Sequence, residues 1–144
     1  MLILTQQFPP DPHVEVDCIL PLTAEERTRS RYKFTTGTGE VLHLQLPRGT
    51  LLRDGDLLST DSGIPQVRII AKAEPVFTVG AGTPLDLLKA AYHLGNRHIP
   101  LEITETYLRL SPDEVLKKML KQMGLTITEE TTPFHPEMGA YHHH

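Results

Sequence analysis

The sequence predicts two domains of different fold class, an all-β domain over residues 1–73 and an α+β domain over residues 74–132, with a flexible tail over 133–144. In the first half, short β-rich segments alternate with turns rich in glycine and proline. In the second half, strand-like segments alternate with two helices that have clear start and stop signals. A chain of 144 residues is long enough for one ordinary domain or two small ones.

The predicted strands of the first half are short and closely spaced, which indicates a small β-barrel or sandwich. Between them, Thr23–Thr28 fits one helical turn, with Thr23 as the cap and Glu26 three residues later. The strand segments are Leu2–Thr5, Val14–Leu20, Arg31–Thr35, Val41–Leu46 and Gln66–Ala71.

The first predicted helix begins with Thr83 as N-cap and Pro84 at the first helical position, and Gly95 closes it in the left-handed conformation. An apolar stripe at i, i+3 and i+7 follows from Leu85, Leu88 and Tyr92. In the second helix, Ser111 and Glu114 form a capping-box pattern with Pro112 between them, and Gly124 is the stop. Its predicted buried face consists of Val115, Leu116, Met119, Leu120 and Met123.

The helices and strands of the second half follow the order β-α-β-β-α-β. This order is typical of the ferredoxin-like arrangement, in which both helices cover one face of a four-stranded antiparallel sheet. The strand segments are Val76–Val79, His98–Glu102, Thr106–Leu110 and Leu125–Thr128.

Composition excludes several classes of function. The net charge of −4 offers no basic excess for nucleic acid. No apolar run approaches the roughly 20 residues of a membrane helix, and Met1–Leu4 lacks the positive region of a signal peptide, so we expect a cytoplasmic protein. Cys18 is the single cysteine and therefore forms no intramolecular disulfide. Its position on a predicted strand indicates a small buried hydrophobic residue instead of a reactive thiol.

The eight histidines are the compositional peculiarity. His98 follows the first helix, where unpaired carbonyl groups favour a nearby cation. Its position alone favours an ordinary half-exposed histidine that is bonded to a carbonyl oxygen. One histidine cannot hold a metal tightly, but a two-fold interface would bring His98 beside its own copy.

The chain ends in His142, His143 and His144, and such a run supplies nitrogen donors for nickel, copper or zinc. It is either a native tail or a shortened purification tag, and the absence of a linker before it favours a native tail. The remaining histidines fit surface or packing roles better: His13, His43, His93 and His135.

No enzyme motif is present: the sequence has no nucleophile elbow, Walker loop, HExxH or CxxC pattern. A metal-dependent hydrolase needs at least three ordered ligands and a nearby base, and only one ordered histidine is available. We therefore expect a protein that is not an enzyme.

At this point the sequence resembles a known family, urease accessory protein E, the nickel chaperone of urease maturation. The resemblance extends along nearly the whole chain, and its most specific part is Gly95-Asn96-Arg97-His98 within Tyr92–Leu101. The shorter matching segments are Leu46–Gly49, Leu52–Leu57, Asp113 with Val115-Leu116, Pro133-Phe134, Pro136-Glu137 and Gly139–Tyr141.

The resemblance implies an N-terminal domain similar to a peptide-binding module of chaperones and a C-terminal domain that dimerises and binds metal. It implies Ni²⁺ as the metal, with Cu²⁺ or Zn²⁺ as competitors, held by His98 from each subunit and by His142, His143 and His144. It implies as partners the urease apoprotein and other urease accessory proteins, including the accessory GTPase. A protein-binding module of the urease assembly complex, with incidental metal binding, is the alternative.

One departure from the family pattern concerns the start of the second helix. Some members carry a His-Asp-His pair of extra ligands there, whereas this chain has Pro112, Asp113 and Glu114. We expect that peripheral site to be missing. Together with the short tail, this predicts one interfacial site of low capacity.

Overall fold

The chain was examined as a computed structural model that describes residues 1–137. The backbone contacts divide it into two units, one from Met1 to Lys72 and one from Ala73 onward. Among the residues that the structure describes, no helix is long and apolar enough to cross a membrane.

The first unit contains two sheets, ordered β1-β5-β4 and β2-β6-β7-β3. Four of the predicted strands are confirmed, but the segment predicted from Val14 becomes a strand only at Cys18. The two short strands β2 and β6 were not predicted. The strands are β1 (Leu2–Leu4), β2 (Gln6–Phe8), β3 (Cys18–Leu22), β4 (Arg31–Thr35), β5 (Val41–Gln45), β6 (Leu57–Ser59) and β7 (Pro65–Ala71).

Alternating leucine, isoleucine and valine side chains of these strands form the core of the first unit. Leu42 and Leu44 of β5 and Val67 and Ile69 of β7 are fully buried. The helical turn predicted over Thr23–Thr28 is a 3₁₀ helix over Glu26–Thr28, with Glu25 and not Thr23 as its N-cap. The reciprocal bonds of a capping box are nevertheless present: the Glu26 amide donates to Thr23 Oγ1 at 3.2 Å, and the Thr23 amide donates to Glu26 Oε1 at 2.9 Å.

The second unit has the predicted order β-α-β-β-α-β, and its sheet is antiparallel with the order β11-β8-β10-β9. Side chains of β8 and β10 pack against apolar residues of both helices. The elements are β8 (Ala73–Gly80), α1 (Pro84–Asn96), β9 (Glu102–Ile103), β10 (Leu108–Leu110), α2 (Glu114–Gln122) and β11 (Thr126–Pro133).

The start of α1 is confirmed, since Thr83 Oγ1 accepts from the Asp86 amide at 3.1 Å and Pro84 is the first helical residue. The start of α2 is not as predicted. Asp113, and not Ser111, is the N-cap, and its carboxylate accepts from the amides of Val115 and Leu116 at 2.9 and 3.0 Å. A carboxylate that accepts two amide hydrogens also meets the positive end of the helix dipole, which favours Asp113 over a serine.

The buried faces of the helices differ in part from the prediction. In α2, Leu116 and Leu120 are buried, but Val115 is 79% exposed. In α1, the side chains that enter the core are Leu87, Ala90 and Leu94, whereas the stripe of Leu85, Leu88 and Tyr92 faces outward. Both sets have helical spacing, so periodicity alone could not decide between them.

The predicted tail boundary at residue 133 is too early. Pro133 is the last residue of β11, and Phe134 is only 1% exposed. The predicted strand Leu125–Thr128 is accordingly extended by five residues, because β11 pairs with β8 along its whole length.

Candidate metal centre

His98 ends helix α1 with the hydrogen-bond pattern of a Schellman motif. The His98 amide donates to the Gly95 carbonyl at 3.0 Å, and the Ile99 amide donates to the Leu94 carbonyl at 3.2 Å. His98 has a φ of 59°, so it is the residue in the left-handed conformation. Ile99 then packs against the same core as Leu94, which completes the motif.

This geometry corrects two predictions. Gly95 does not close the helix, because it lies inside α1. His98 does not begin a strand either, because a positive φ is incompatible with extended backbone. In α2 the corresponding left-handed residue is Gly124, with a φ of 82°, as predicted. Histidine thus occupies in α1 a position that usually requires glycine, at a cost of about 1–2 kcal/mol for an ordinary residue.

The His98 side chain is exposed and stands just beyond the C-terminal end of α1. Carbonyl groups at this end carry partial negative charge, and the Arg97 guanidinium donates to the His93 carbonyl at 3.2 Å. A cation bound at His98 would therefore lie at the favourable end of the helix dipole. Non-glycine residues held in this region of backbone space are concentrated at functional sites.

The other histidines of the described residues have individual local roles. The ring of His93 contacts the ring of Tyr92 edge-on, with 5.3 Å between the ring centroids. His43 Nδ1 lies 3.4 Å from the side-chain amide nitrogen of Gln45, Nε2. The His13 amide donates to an Asp11 carboxylate oxygen. Within residues 1–137, no three side chains of His, Cys, Asp or Glu come together as a metal site.

The predicted ligands His142, His143 and His144 lie outside the described residues. Among the described residues, His98 does not belong to a group of three potential metal ligands. At the start of α2, the Asp113 carboxylate caps the helix. The residues on either side of it, Pro112 and Glu114, have no imidazole that could bind a metal.

Cys18 lies half-buried against the core of the first unit. Burial raises the pKa of its thiol, and the negative charges of Glu40 and Asp17 raise it further. A thiol with a raised pKa remains protonated at neutral pH, so it is a poor nucleophile and a poor metal ligand.

Sequence reasoning missed a polar network on the sheet of the second unit. Arg109 of β10 binds Glu102 of β9 at 3.4 Å and Glu130 of β11 at 3.2 Å. Its Nε donates to Thr78 Oγ1 at 3.1 Å, and its guanidinium lies over the ring of Tyr107. The signal was available, because Glu102 and Arg109 carry opposite charges on two consecutive strands of the predicted antiparallel sheet.

Comparison with known proteins identifies the family. The sequence model of the UreE urease accessory protein N-terminal domain matches residues 4–71, and that of the C-terminal domain matches residues 74–144. The chain belongs to the UreE urease accessory protein family. The resemblance predicted from the sequence is thereby confirmed.

Full-length relatives agree with this assignment. The urease accessory protein UreE of Nostoc sp. is 60% identical over 100% of this chain and 98% of its own length. The UreE protein of Nostoc punctiforme is 58% identical over 100% and 99%. That of Thermosynechococcus vestitus is 52% identical over the full length of both chains. The family relates the chain to urease maturation as an accessory protein, distinct from urease itself.

Proposed function

We propose that this chain is a nickel metallochaperone, which binds Ni²⁺ and delivers it during assembly of the urease active site. The observation that supports this best is an exposed histidine, His98, on a left-handed turn in a UreE chain. Imidazole nitrogen is a good ligand for nickel, copper and zinc. Cu²⁺ and Zn²⁺ therefore compete for the site, and the choice of nickel rests on the role of the family.

A homodimer through the second unit would supply a second His98. The stripe of Leu85, Leu88 and Tyr92 on α1 is 57%, 68% and 67% exposed, and it lies on the helix that ends at His98. A row of large exposed apolar side chains is typical of a protein interface. A two-fold axis at this stripe repeats each residue across the interface, and in this proposal the axis runs along α1, so that the two His98 turns meet.

The tail histidines His142, His143 and His144 complete the ligand set in this proposal. A metal ion held by the two His98 rings and by ligands from the tail can exchange its ligands one at a time. The acceptor's ligands replace them as they leave, which suits delivery better than tight storage. Each ligating imidazole must be neutral, so binding weakens in acid.

The proposal includes a finer architecture. The strand order β11-β8-β10-β9 and the two helices support a ferredoxin-like metal-binding and dimerisation domain in the second unit. The first unit forms the peptide-binding-like domain, which docks on the urease apoprotein and the accessory proteins, including the accessory GTPase. The compartment is the cytoplasm.

Calorimetric titration of nickel into His98→Ala tests the proposal. We expect affinity to fall by more than about tenfold, because even loss of a residue that only supports a metal ligand costs ten- to a hundredfold. His93→Ala is the matched control, since it removes an exposed imidazole from the same helix. Deletion of His142–His144 should weaken binding less than loss of His98. Unchanged nickel affinity in His98→Ala would contradict the proposal.

A further inference from the structure

Strand β4 (Arg31–Thr35) is an outer strand of the first unit, and among the described residues only β5 pairs with it. Just before β4, the Leu46 amide donates to the Ser30 carbonyl at 3.0 Å. Just after it, the Thr36 amide donates to the Glu40 carbonyl at 2.8 Å. Antiparallel partners alternate between bonded and unbonded pairs, so the even-numbered residues of β4 are bonded to β5. The odd-numbered residues therefore direct their N–H and C=O groups to the open edge.

The residues with outward backbone groups are Arg31, Lys33 and Thr35, and their side chains are exposed. Within the part of the chain that the structure describes, no backbone hydrogen bond reaches this edge from another segment. An edge of this kind is a template for pairing with an extended segment of another chain. A peptide that added to it would gain the row of main-chain hydrogen bonds that is typical of β-augmentation.

One face of the sheet is cationic at this edge. Alternation places Arg31 and Lys33 on the side away from the core, and His43 of β5 lies directly opposite Lys33. In the described range 1–137, neither Arg31 nor Lys33 takes part in an ion pair. The whole chain has a net charge of −4, so these cations form a local excess. Carboxylates at alternate positions of an added strand would lie beside them.

The other face of the same edge is aromatic. Tyr32 is 44% exposed, and its ring centroid lies 4.9 Å from that of Phe34, which is buried in the core. The Arg29 guanidinium lies 4.5 Å from the centroid of the Tyr32 ring, but its charge is already paired with Glu25. Apolar side chains of an added strand would therefore pack against Tyr32 and extend the core at its margin.

We propose that the open edge of β4 is the docking site for an extended segment of a partner protein in which acidic and apolar residues alternate. The segment adds as a fourth strand to the β1-β5-β4 sheet. Its carboxylates lie beside Arg31 and Lys33, and its apolar side chains pack against Tyr32. This inference rests on the part of the proposed function in which the first unit docks on urease proteins. The alternative is that the charges only keep the edge unpaired, as charged residues do on many edge strands.

A capped peptide with the pattern Glu-Val-Glu-Val-Glu-Val-Glu tests the proposal on the full-length chain. Its affinity is measured at low ionic strength by NMR titration of the isotope-labelled protein, because salt screens exposed charges. A control peptide of the same composition, with all glutamates before the valines, has the same charge without the alternation. Hydrogen exchange at single amides then distinguishes strand addition from simple attraction between charges.

We expect the alternating peptide to bind more tightly than the control peptide. At saturation, exchange of the Lys33 and Thr35 amides should slow by at least about tenfold, because these amides gain a hydrogen-bond acceptor. The amides of Tyr32 and Phe34 should change little, since they are already bonded to β5. This difference between odd and even positions is specific to strand addition at the open edge.

Two pairs of substitutions locate the binding site. Lys33→Glu should weaken binding of the alternating peptide by at least about fivefold, because an attractive cross-strand pair becomes a repulsive one. Lys72→Glu is the matched control, since it changes the charge equally at another exposed lysine of the first unit. Thr35→Pro removes one outward amide and keeps both cations, so it should weaken binding more than Thr35→Ala does. Lys33→Glu alters only an exposed side chain and tests the proposal even if Thr35→Pro does not fold.

No binding of the alternating peptide, or binding that leaves Lys33 exchange unchanged, would overturn the inference. Equal weakening by Lys33→Glu and Lys72→Glu would overturn it too. Nickel titration keeps this result separate from the metal site, because Lys33→Glu should bind nickel like the natural chain. Unchanged nickel affinity in His98→Ala would count against the proposed function, whatever the peptide does.

Discussion

At the scale of single residues, His98 combines a structural position with an exposed imidazole. Its amide and that of Ile99 bond to carbonyl groups of the last turn of α1, so the backbone on which the ring is mounted is well defined. The same position in α2 holds Gly124, which adopts a positive φ without a steric penalty. A fold that only needed to end α1 would be better served by glycine. The presence of histidine at this position therefore indicates that the imidazole ring of His98 has a function of its own.

Replacement of His98 with glycine should separate stability from binding. We expect His98→Gly to raise the free energy of unfolding by up to about 1 kcal/mol, because the left-handed strain is relieved while the unfolded chain becomes more flexible. Nickel affinity should fall as in His98→Ala. Urea denaturation and calorimetry measure the two effects.

Gly124→Ala is the control at the equivalent position of α2. It should lower the free energy of unfolding by about 1 kcal/mol and leave nickel binding intact. If His98→Gly destabilised the chain as much as Gly124→Ala, the backbone of His98 would not be strained.

At the scale of elements, α1 is apolar on two faces. Leu87, Ala90 and Leu94 pack into the core of the second unit, whereas the outward stripe leaves Leu88 and Tyr92 about two-thirds exposed. Helices of small domains commonly place charged residues on the outward face. An apolar outward face next to the His98 turn is consistent with a partner that covers both, and a second copy is the simplest one.

A charge in the stripe should therefore break the dimer. We expect Leu88→Glu to weaken self-association by about 30-fold or more, because an unpaired carboxylate would be buried at the centre of the interface. Nickel affinity should fall with it, since in the proposed dimer each site takes His98 from both chains. Light scattering after size-exclusion chromatography gives the oligomeric state.

Val115→Glu provides the comparison, because Val115 is 79% exposed and lies on α2, away from the stripe. It should leave the oligomeric state unchanged. A Leu88→Glu chain that stays dimeric, or a natural chain that is monomeric with and without nickel, would remove the stripe as the interface.

At the scale of the whole molecule, the two family domains coincide with two units that have separate cores. His98 and the α1 stripe both belong to the second unit. The first unit contributes none of these features. Metal binding and docking on the urease complex are therefore expected to be separable by mutation.

This separation predicts a dominant-negative chain. Full-length His98→Ala should still associate with the urease apoprotein and its accessory proteins, because its first unit is unaltered. An excess of it should suppress urease activation by the natural chain at limiting nickel. Co-purification and a urease activation assay measure the two properties. Association without suppression would favour the alternative, a protein-binding module whose metal binding is incidental.

Local signals in the sequence predicted much of this structure. Thr83-Pro84 marks the start of α1, Thr23 and Glu26 form their capping box, and Gly124 ends α2, because each device involves residues within a few positions of one another. The strands β2 and β6 were missed. They are three residues long, which is too short to show alternation, and they are defined by their pairing with each other and, for β6, also with β7.

The sequence by itself determined the family, the order of elements in the second unit and His98 as the residue to test. Its composition and motifs carry that information without reference to distant parts of the chain. Only the tertiary structure decided which side of α1 is buried, that His98 instead of Gly95 takes the left-handed conformation, and that the Glu102 carboxylate accepts a hydrogen bond from the His135 amide. The physical reason is that these outcomes depend on packing against β8 and β10 and on a hydrogen bond across 33 positions of sequence.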